Sequence, residues 1–305
     1  MKQTFLELIR KTACGLPGDV TDALTQAAQA ETEGPARAAL LDILDNCRAA
    51  RESSRPLCQD TGTHIWMVYL PPSMDKRQVT RDILGATRTA VKKAYLRPNA
   101  VDSLTGINSG DNTGPGQPVI HFHEWGKKHL VADLLLKGGG SENVSCQFSL
   151  PHGETGAGRD LEGVRKVVLE GVFQAQGKGC APGILGICIG GDRASGAAAA
   201  KEQLFRPLED CNPDPSSAAL ESRLLSECNE LGIGPMGFGG RTTILGVKIG
   251  ALHRLPASYF VSIAYICWAA RRCSVEIKGD RVRFTEQCET GRALGKSISG
   301  KGGRR

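Results

Sequence analysis

The sequence is poor in aromatic residues, which make up 5% of its 305 positions, so aromatic packing does not dominate its core. Its eleven cysteines include no CxxC pair, which removes the spacing of a zinc ribbon or a thioredoxin-type site. No apolar run approaches the length of a membrane span. The opening MKQTFLELIRKTACG mixes charges into its apolar pattern, as an amphipathic helix does and a secretory signal core does not. The formal charge of +6 is concentrated in GRALGKSISGKGGRR, which holds five basic residues and no acid. The remainder is close to neutral and carries no electrostatic footprint for nucleic acid. An odd number of thiols without a secretory segment points to a reducing cytoplasm, where cysteines serve as buried hydrophobes, metal ligands or catalytic groups.

Glycine, by contrast, is abundant at 38 residues, so tight turns and close backbone approaches matter. Helical periodicity marks FLELIRK, DVTDALTQAAQAE and PARAALLDILDNCRAARE, the last with Pro35 suited to a first turn. A strand HIWMVYL follows, then a helix from DKRQVTRD to about Arg97. PVIHFHEW and HLVADLLL read as strands, RDLEGVRKVVLEGVFQAQG as a helix and GILGICI as an apolar strand between glycines. Two more helices, GAAAAKEQLFRPL and PSSAALESRLLSECNEL, precede the strand ILGVKI. PASYFVSIAYICWAARR is an apolar segment of helix length. The mixture predicts a mixed α/β (α+β) fold, with one domain over 1–278 and a basic, Gly-rich tail over 279–305.

Several motifs lack their structural context. GIGPMG (Gly232–Gly237) spells GxGxxG, but a helix precedes it, a strand follows and Pro235 interrupts it, so it is not a dinucleotide fingerprint. GRALGKS (Gly291–Ser297) is one residue short of a P-loop. His121 and His123 share a strand face, yet no third metal ligand is near in sequence. The Gly-rich loops KGGGSEN, GCAPG and GIGPMGFGG carry more weight together, because glycine lets backbone amides approach an anion or bulky cofactor. In RPLCQDTGT, Asp60, Thr61 and Gly62 have turn chemistry, and the loop feeds an apolar strand, where α/β proteins build sites.

CQDTGT, YLRPNAV with NSGDNTGPGQP, KGGGSEN, GCAPGILGICIGG, LGIGPMGFGGRTTILGVKI and RLPASYFVSIAYICWAARR occur in that order. Together they resemble the alpha subunit, or N-terminal domain, of class I iron-sulfur fumarate hydratases and tartrate dehydratases, over most of residues 50 to 275. The resemblance implies a 4Fe-4S cluster, with helices and mixed strands around it, held by Cys58, Cys180 and Cys267. Soft thiolates suit such a cluster, and the other eight cysteines, Cys188 and Cys273 among them, revert to buried thiols. It implies acid–base work for Asp60, carboxylate binding by Arg97, and substrate contact through Gln59 and the backbone near Gly139. It also implies a hydro-lyase of the fumarate–malate step of the tricarboxylic acid cycle, assembled with a beta subunit as a heterotetramer or larger. Leu255 stands where many relatives carry a histidine, with His253 nearby, so no histidine role is carried over. The chain ends where the family's second domain would begin, and the expectation is inactivity without that partner. KGGGSEN and VKI favour a fumarase; an L-tartrate dehydratase alpha subunit and a non-catalytic iron-sulfur scaffold are the alternatives.

Overall fold

Helical periodicity in the first 53 residues resolves into three helices, α1 (Lys2–Cys14), α2 (Gly18–Ala30) and α3 (Pro35–Ser53), in a computed structural model that describes residues 1–32 and 34–296. Strand β1 (Thr63–Leu70), helix α4 (Lys76–Lys92) and strands β2 (Val119–Glu124) and β3 (Leu130–Lys137) follow. Then come α5 (Gly139–Asn143), β4 (Cys146–Ser149), α6 (Leu161–Ala175), β5 (Gly183–Gly190), α7 (Arg193–Gln203) and α8 (Pro215–Glu230). The described chain closes with β6 (Ile244–Leu252), β7 (Phe260–Ile266), β8 (Arg271–Lys278), β9 (Arg281–Thr285) and α9 (Glu289–Lys296). The described chain divides into two compact units, one built from Met1–Gly18, Ile43–Gly139 and Ala269–Glu289, the other from Asp19–Asp42, Gly140–Trp268 and residues 290–296.

In the first unit the strands run β2-β1-β3-β8-β9, with β1 and β2 parallel and the other pairs antiparallel. β3 is buried at all eight positions, which explains why LVADLLLK reads as a nearly continuous apolar run: a central strand covered on both faces loses its alternation. α1 and α4 share one apolar core with Trp66, Val68, Leu134, Leu136 and Val275. Phe5 meets Trp66 edge-on at 5.6 Å, a geometry worth roughly 0.5–1.5 kcal/mol beyond area burial. Asp75 caps α4 by accepting from the Arg77 amide.

The second unit has the strand order β4-β7-β5-β6, parallel only between β5 and β6. Val164, Val168, Leu220 and Leu224 from α6 and α8 pack with Leu185, Ile187 and Val247. Gly186 admits α7 closely, since a Cβ there would lie 2.2 Å from the Ala200 carbonyl oxygen. Asp160, Asp192 and Asp214 cap α6, α7 and α8 through their side chains.

The mixed α/β expectation agrees with this architecture. PASYFVSIAYICWAARR does not form a helix: it is two strands, β7 and β8, separated at Cys267. Both are buried on both faces, so their apolar run has no period that separates strand from helix. KGGGSEN, read as a loop, opens the short helix α5. The segment read as a tail from 279 contributes β9 to the first sheet; its part beyond 296 lies outside the described residues.

Candidate functional site

In the first unit the loop before β1 is organised around Asp60. Its Oδ1 accepts from the Gly62 amide at 3.0 Å and its Oδ2 from the Gly139 amide at 2.7 Å. Gly62 is at φ +79, and a Cβ there would come within 2.8 Å of the Lys137 backbone, so glycine is needed both for the turn and for the approach of β3. The turn chemistry expected of Asp60 and Gly62 is therefore present. Asp60, Gly139, His64, Asn99, Asn112 and Gln117 are among the residues lining a cavity of about 130 Å³.

Arg97 is exposed, and its Nη1 donates to the Gln59 carbonyl oxygen at 3.3 Å. Its backbone is fastened from two sides. Asn112, buried and at φ +60, donates Nδ2 to the Arg97 carbonyl at 2.7 Å, while its Oδ1 accepts the amides of Asn99 and Ala100. The Thr61 hydroxyl accepts from the Asn99 amide side chain at 2.9 Å and from the Arg97 amide at 3.3 Å. From beneath, Arg271 donates Nη2 to the Asp60 carbonyl at 3.0 Å. Arg271 is 1% exposed, and among the described residues its Nε and Nη1 reach no acceptor, nor does either ring nitrogen of buried His64 find a partner. Burial, and then the Arg271 charge, push the His64 imidazole down to about 4. His64, Asn112 and Arg271 are given no role by the sequence reading, and Thr61 only that of a turn residue, although Thr61, Asn112 and Arg271 lie within the motifs CQDTGT, NSGDNTGPGQP and ICWAARR.

Cys58 belongs to the first unit and is half-buried. The Leu57 amide before it donates to the Ala13 carbonyl, and its carbonyl accepts from Asn46. Cys180 and Cys267 belong to the second unit and are likewise half-buried. Cys180 sits at φ +53, a left-handed conformation uncommon outside glycine and held where surroundings over-determine it. Its carbonyl accepts from the Trp268 amide at 3.3 Å, which ties the Cys180 turn to the residue after Cys267. Beside them stands Tyr265, 2% exposed, with a hydroxyl that reaches no partner. Gly179 and Gly183 make room for its ring, since a Cβ on either would lie 2.6 Å or 2.2 Å from ring atoms. Burial pushes Cys14, Cys47, Cys146 and Cys273 up to about 11, and Cys188 and Cys228 up to about 12, so these remain protonated and inert.

His123 stacks on Tyr69 at 4.9 Å. Among the described residues no three His, Cys, Asp or Glu side chains gather as ligands of a single metal ion. Leu255 and His253 are exposed on the segment after β6. GIGPMG forms a short 3-10 turn between α8 and β6, with no helix opening inside it. Among the described residues no helix is long and apolar enough to cross a membrane.

One unit thus carries an oriented carboxylate on the loop before a strand, and the other two half-buried thiols. The family model described as fumarate hydratase (Fumerase) matches residues 2–276. The chain belongs to that family. It is 48% identical over 279 residues to a putative fumarate hydratase class I of Geobacillus stearothermophilus, covering 90% of this chain and 54% of that protein. The chain thus spans about half the length of that relative. It is 36% identical over 286 residues to a putative L(+)-tartrate dehydratase subunit alpha of Methanocaldococcus jannaschii, covering 92% and 98% of the two chains. An L(+)-tartrate dehydratase subunit alpha of Escherichia coli is 32% identical over 273 residues, with 87% and 86% covered.

Proposed function

We propose that this chain is the alpha-type part of a cytoplasmic iron-sulfur hydro-lyase that interconverts fumarate and L-malate, acting with a beta-type partner in a heterotetramer or larger assembly. The observation that carries the reading is the Asp60 carboxylate, fixed by two backbone amides at the rim of a cavity. The 48% identity to a protein named as a class I fumarate hydratase supports the substrate. The relatives named as alpha subunits support a partner chain.

A 4Fe-4S cluster is proposed on Cys58, Cys180 and Cys267. The chain fits such a group in that these three thiols are half-buried, as Cys146 also is, while Cys211 is exposed and the other six are buried, and in that an unpartnered phenol hydroxyl lies beside two of the three. Bound there, the cluster would supply a Lewis acid through an iron that lacks a protein ligand, polarising the bond to the leaving hydroxyl.

The chain's own residues do the rest. A carboxylate offers about four lone-pair sites, and the Gly62 and Gly139 amides occupy one on each oxygen, so Asp60 retains sites aimed at a proton moving to or from the substrate hydroxyl. The planar Arg97 fork suits one substrate carboxylate, with the loop fastened by Thr61 and Asn112 setting its origin. Gln59, exposed beside Asp60, supplies amide contacts, and the exposed Gly139 segment brings backbone close to the bound acid.

Tartrate is the second reading, favoured by the names of relatives that this chain covers over 98% and 86% of their length. The test is anaerobic purification and iron-sulfur reconstitution with the partner chain, followed by paired assays on fumarate, L-malate and L(+)-tartrate. Turnover of fumarate and malate with little on tartrate supports the proposal. Turnover of tartrate alone replaces the substrate, and a complex indifferent to Asp60→Asn leaves the chain a scaffold.

A further inference from the structure

We infer that the Tyr265 hydroxyl donates a hydrogen bond to sulfur of the iron-sulfur group held by Cys180 and Cys267, and thereby raises that group's reduction potential. The inference rests on the ligand set proposed above.

Tyr265 lies on β7 opposite Leu185 of β5, and its backbone amide donates to the Ser145 hydroxyl at 3.1 Å. Its ring is lodged against the backbone of Gly179 and Gly183, positions where any larger residue would collide with it. Gly179 immediately precedes Cys180, so the ring is fitted to the turn that carries the thiol. At the end of this ring is a buried hydroxyl with no partner among the described residues. Leaving such a group unsatisfied costs roughly 1–3 kcal/mol, a cost that phenylalanine would avoid while filling the same space. The fold therefore gains nothing from the oxygen, and its presence calls for an acceptor that the described residues do not supply.

The surroundings identify the acceptor's chemistry. β7 ends at Ile266, next to Cys267, and the ring lies against Gly179, next to Cys180; Cys228 is its third thiol neighbour. A phenol ordinarily titrates near 10, so at neutral pH the hydroxyl is a donor. Cys228 is a buried thiol on α8 whose own pKa is pushed up to about 12, so it offers only a weak neutral acceptor. The anionic sulfurs of a cluster are stronger acceptors, and hydrogen bonds to them are a principal determinant of cluster potential. Reduction adds negative charge, which a fixed donor stabilises more in the reduced form than in the oxidised one.

The experiment compares wild type, Tyr265→Phe and Cys228→Ala as cluster-loaded protein under anaerobic conditions, with iron content, redox titration followed by electron paramagnetic resonance, and deuterium exchange of protons coupled to the cluster. Tyr265→Phe is expected to retain iron and to lose about tenfold in the reduction equilibrium, a downward shift of about 59 mV for a one-electron couple. Wild type and Cys228→Ala are expected to share one potential and one strongly coupled exchangeable proton, absent in Tyr265→Phe. An unchanged potential in iron-loaded Tyr265→Phe overturns the inference, and so does the absence of that proton in loaded wild type, which decides the matter even if the variant does not fold. Loss of the tyrosine effect in a Cys228→Ala background assigns the hydroxyl to Cys228 and also overturns it. Wild type that takes up no iron overturns the ligand set as well.

Discussion

The Gly139 amide donates to Asp60 Oδ2 at 2.7 Å, so the acid is aimed by backbone and not by a neighbouring side chain. This relationship separates three substitutions. Asp60→Asn should lower kcat/KM by about 10²-fold or more, in the range of general acid–base catalysis. Gly139→Ala keeps the amide, and its Cβ would meet Oδ2 at an ordinary 3.7 Å, so activity should stay near wild type. Gly139→Pro removes the donor and should fall toward the Asp60→Asn value. Steady-state kinetics on the reconstituted complex, with circular dichroism to verify folding, read all three.

Gly62 is the position where the turn and the sheet compete for space. Gly62→Ala places a methyl 2.8 Å from the Lys137 carbonyl at a φ of +79 and should cost about 1–3 kcal/mol of stability, read as a lower urea midpoint. A silent substitution would mean that the loop lies farther from β3.

His64 makes stability depend on pH in a stated direction. Its folded value is about 4 against an ordinary 6.5, so on acidification the unfolded chain takes up the proton first. The contribution is full above 6.5, falls as pH drops, and is lost once pH passes through about 4. The loss is about 3 kcal/mol at most for a shift of this size. Urea unfolding at pH 7 and pH 4.5 should show a smaller decrease for His64→Leu than for wild type; equal decreases would remove His64 as the cause.

The thiols divide into two groups with opposite outcomes. Cys58→Ser, Cys180→Ser and Cys267→Ser should each bleach the anaerobically reconstituted protein and release iron. Cys188→Ala and Cys273→Ala remove buried thiols and should lower stability by about 1 kcal/mol, as small core truncations do, while iron content holds. Iron retained by any of the first three would strike that residue from the ligand set.

Much of the fold was legible because its periods are simple. α4 and α6 follow aspartates that cap them, and HIWMVYL and HLVADLLL end at turn residues. β7 and β8 were not legible, because burial on both faces removes the alternation that marks a strand. The expected site residues, Cys58, Gln59, Asp60, Arg97, Gly139, Cys180 and Cys267, came from motifs, and the structure joins Asp60 to Gly139 and Arg97 to Gln59. Asn112, His64, Arg271 and Tyr265 were not readable. Their roles come from partners far away in the chain, as with the 211 positions between Asp60 and Arg271, or from partners missing altogether.

Thr63 pairs with Lys137 in the β1–β3 ladder, placing Asp60 just before one strand and Gly139 just after the other. A slip of two residues would keep every side chain on its proper face, so the apolar core would tolerate it better than a slip of one. It would nevertheless carry the carboxylate about 7 Å from its amide, at roughly 3.3 Å per residue. The Asp60 carboxylate thus reports on strand alignment: a mispaired sheet that still buries its leucines would leave it without the Gly139 amide, the one error that hydrophobic packing overlooks.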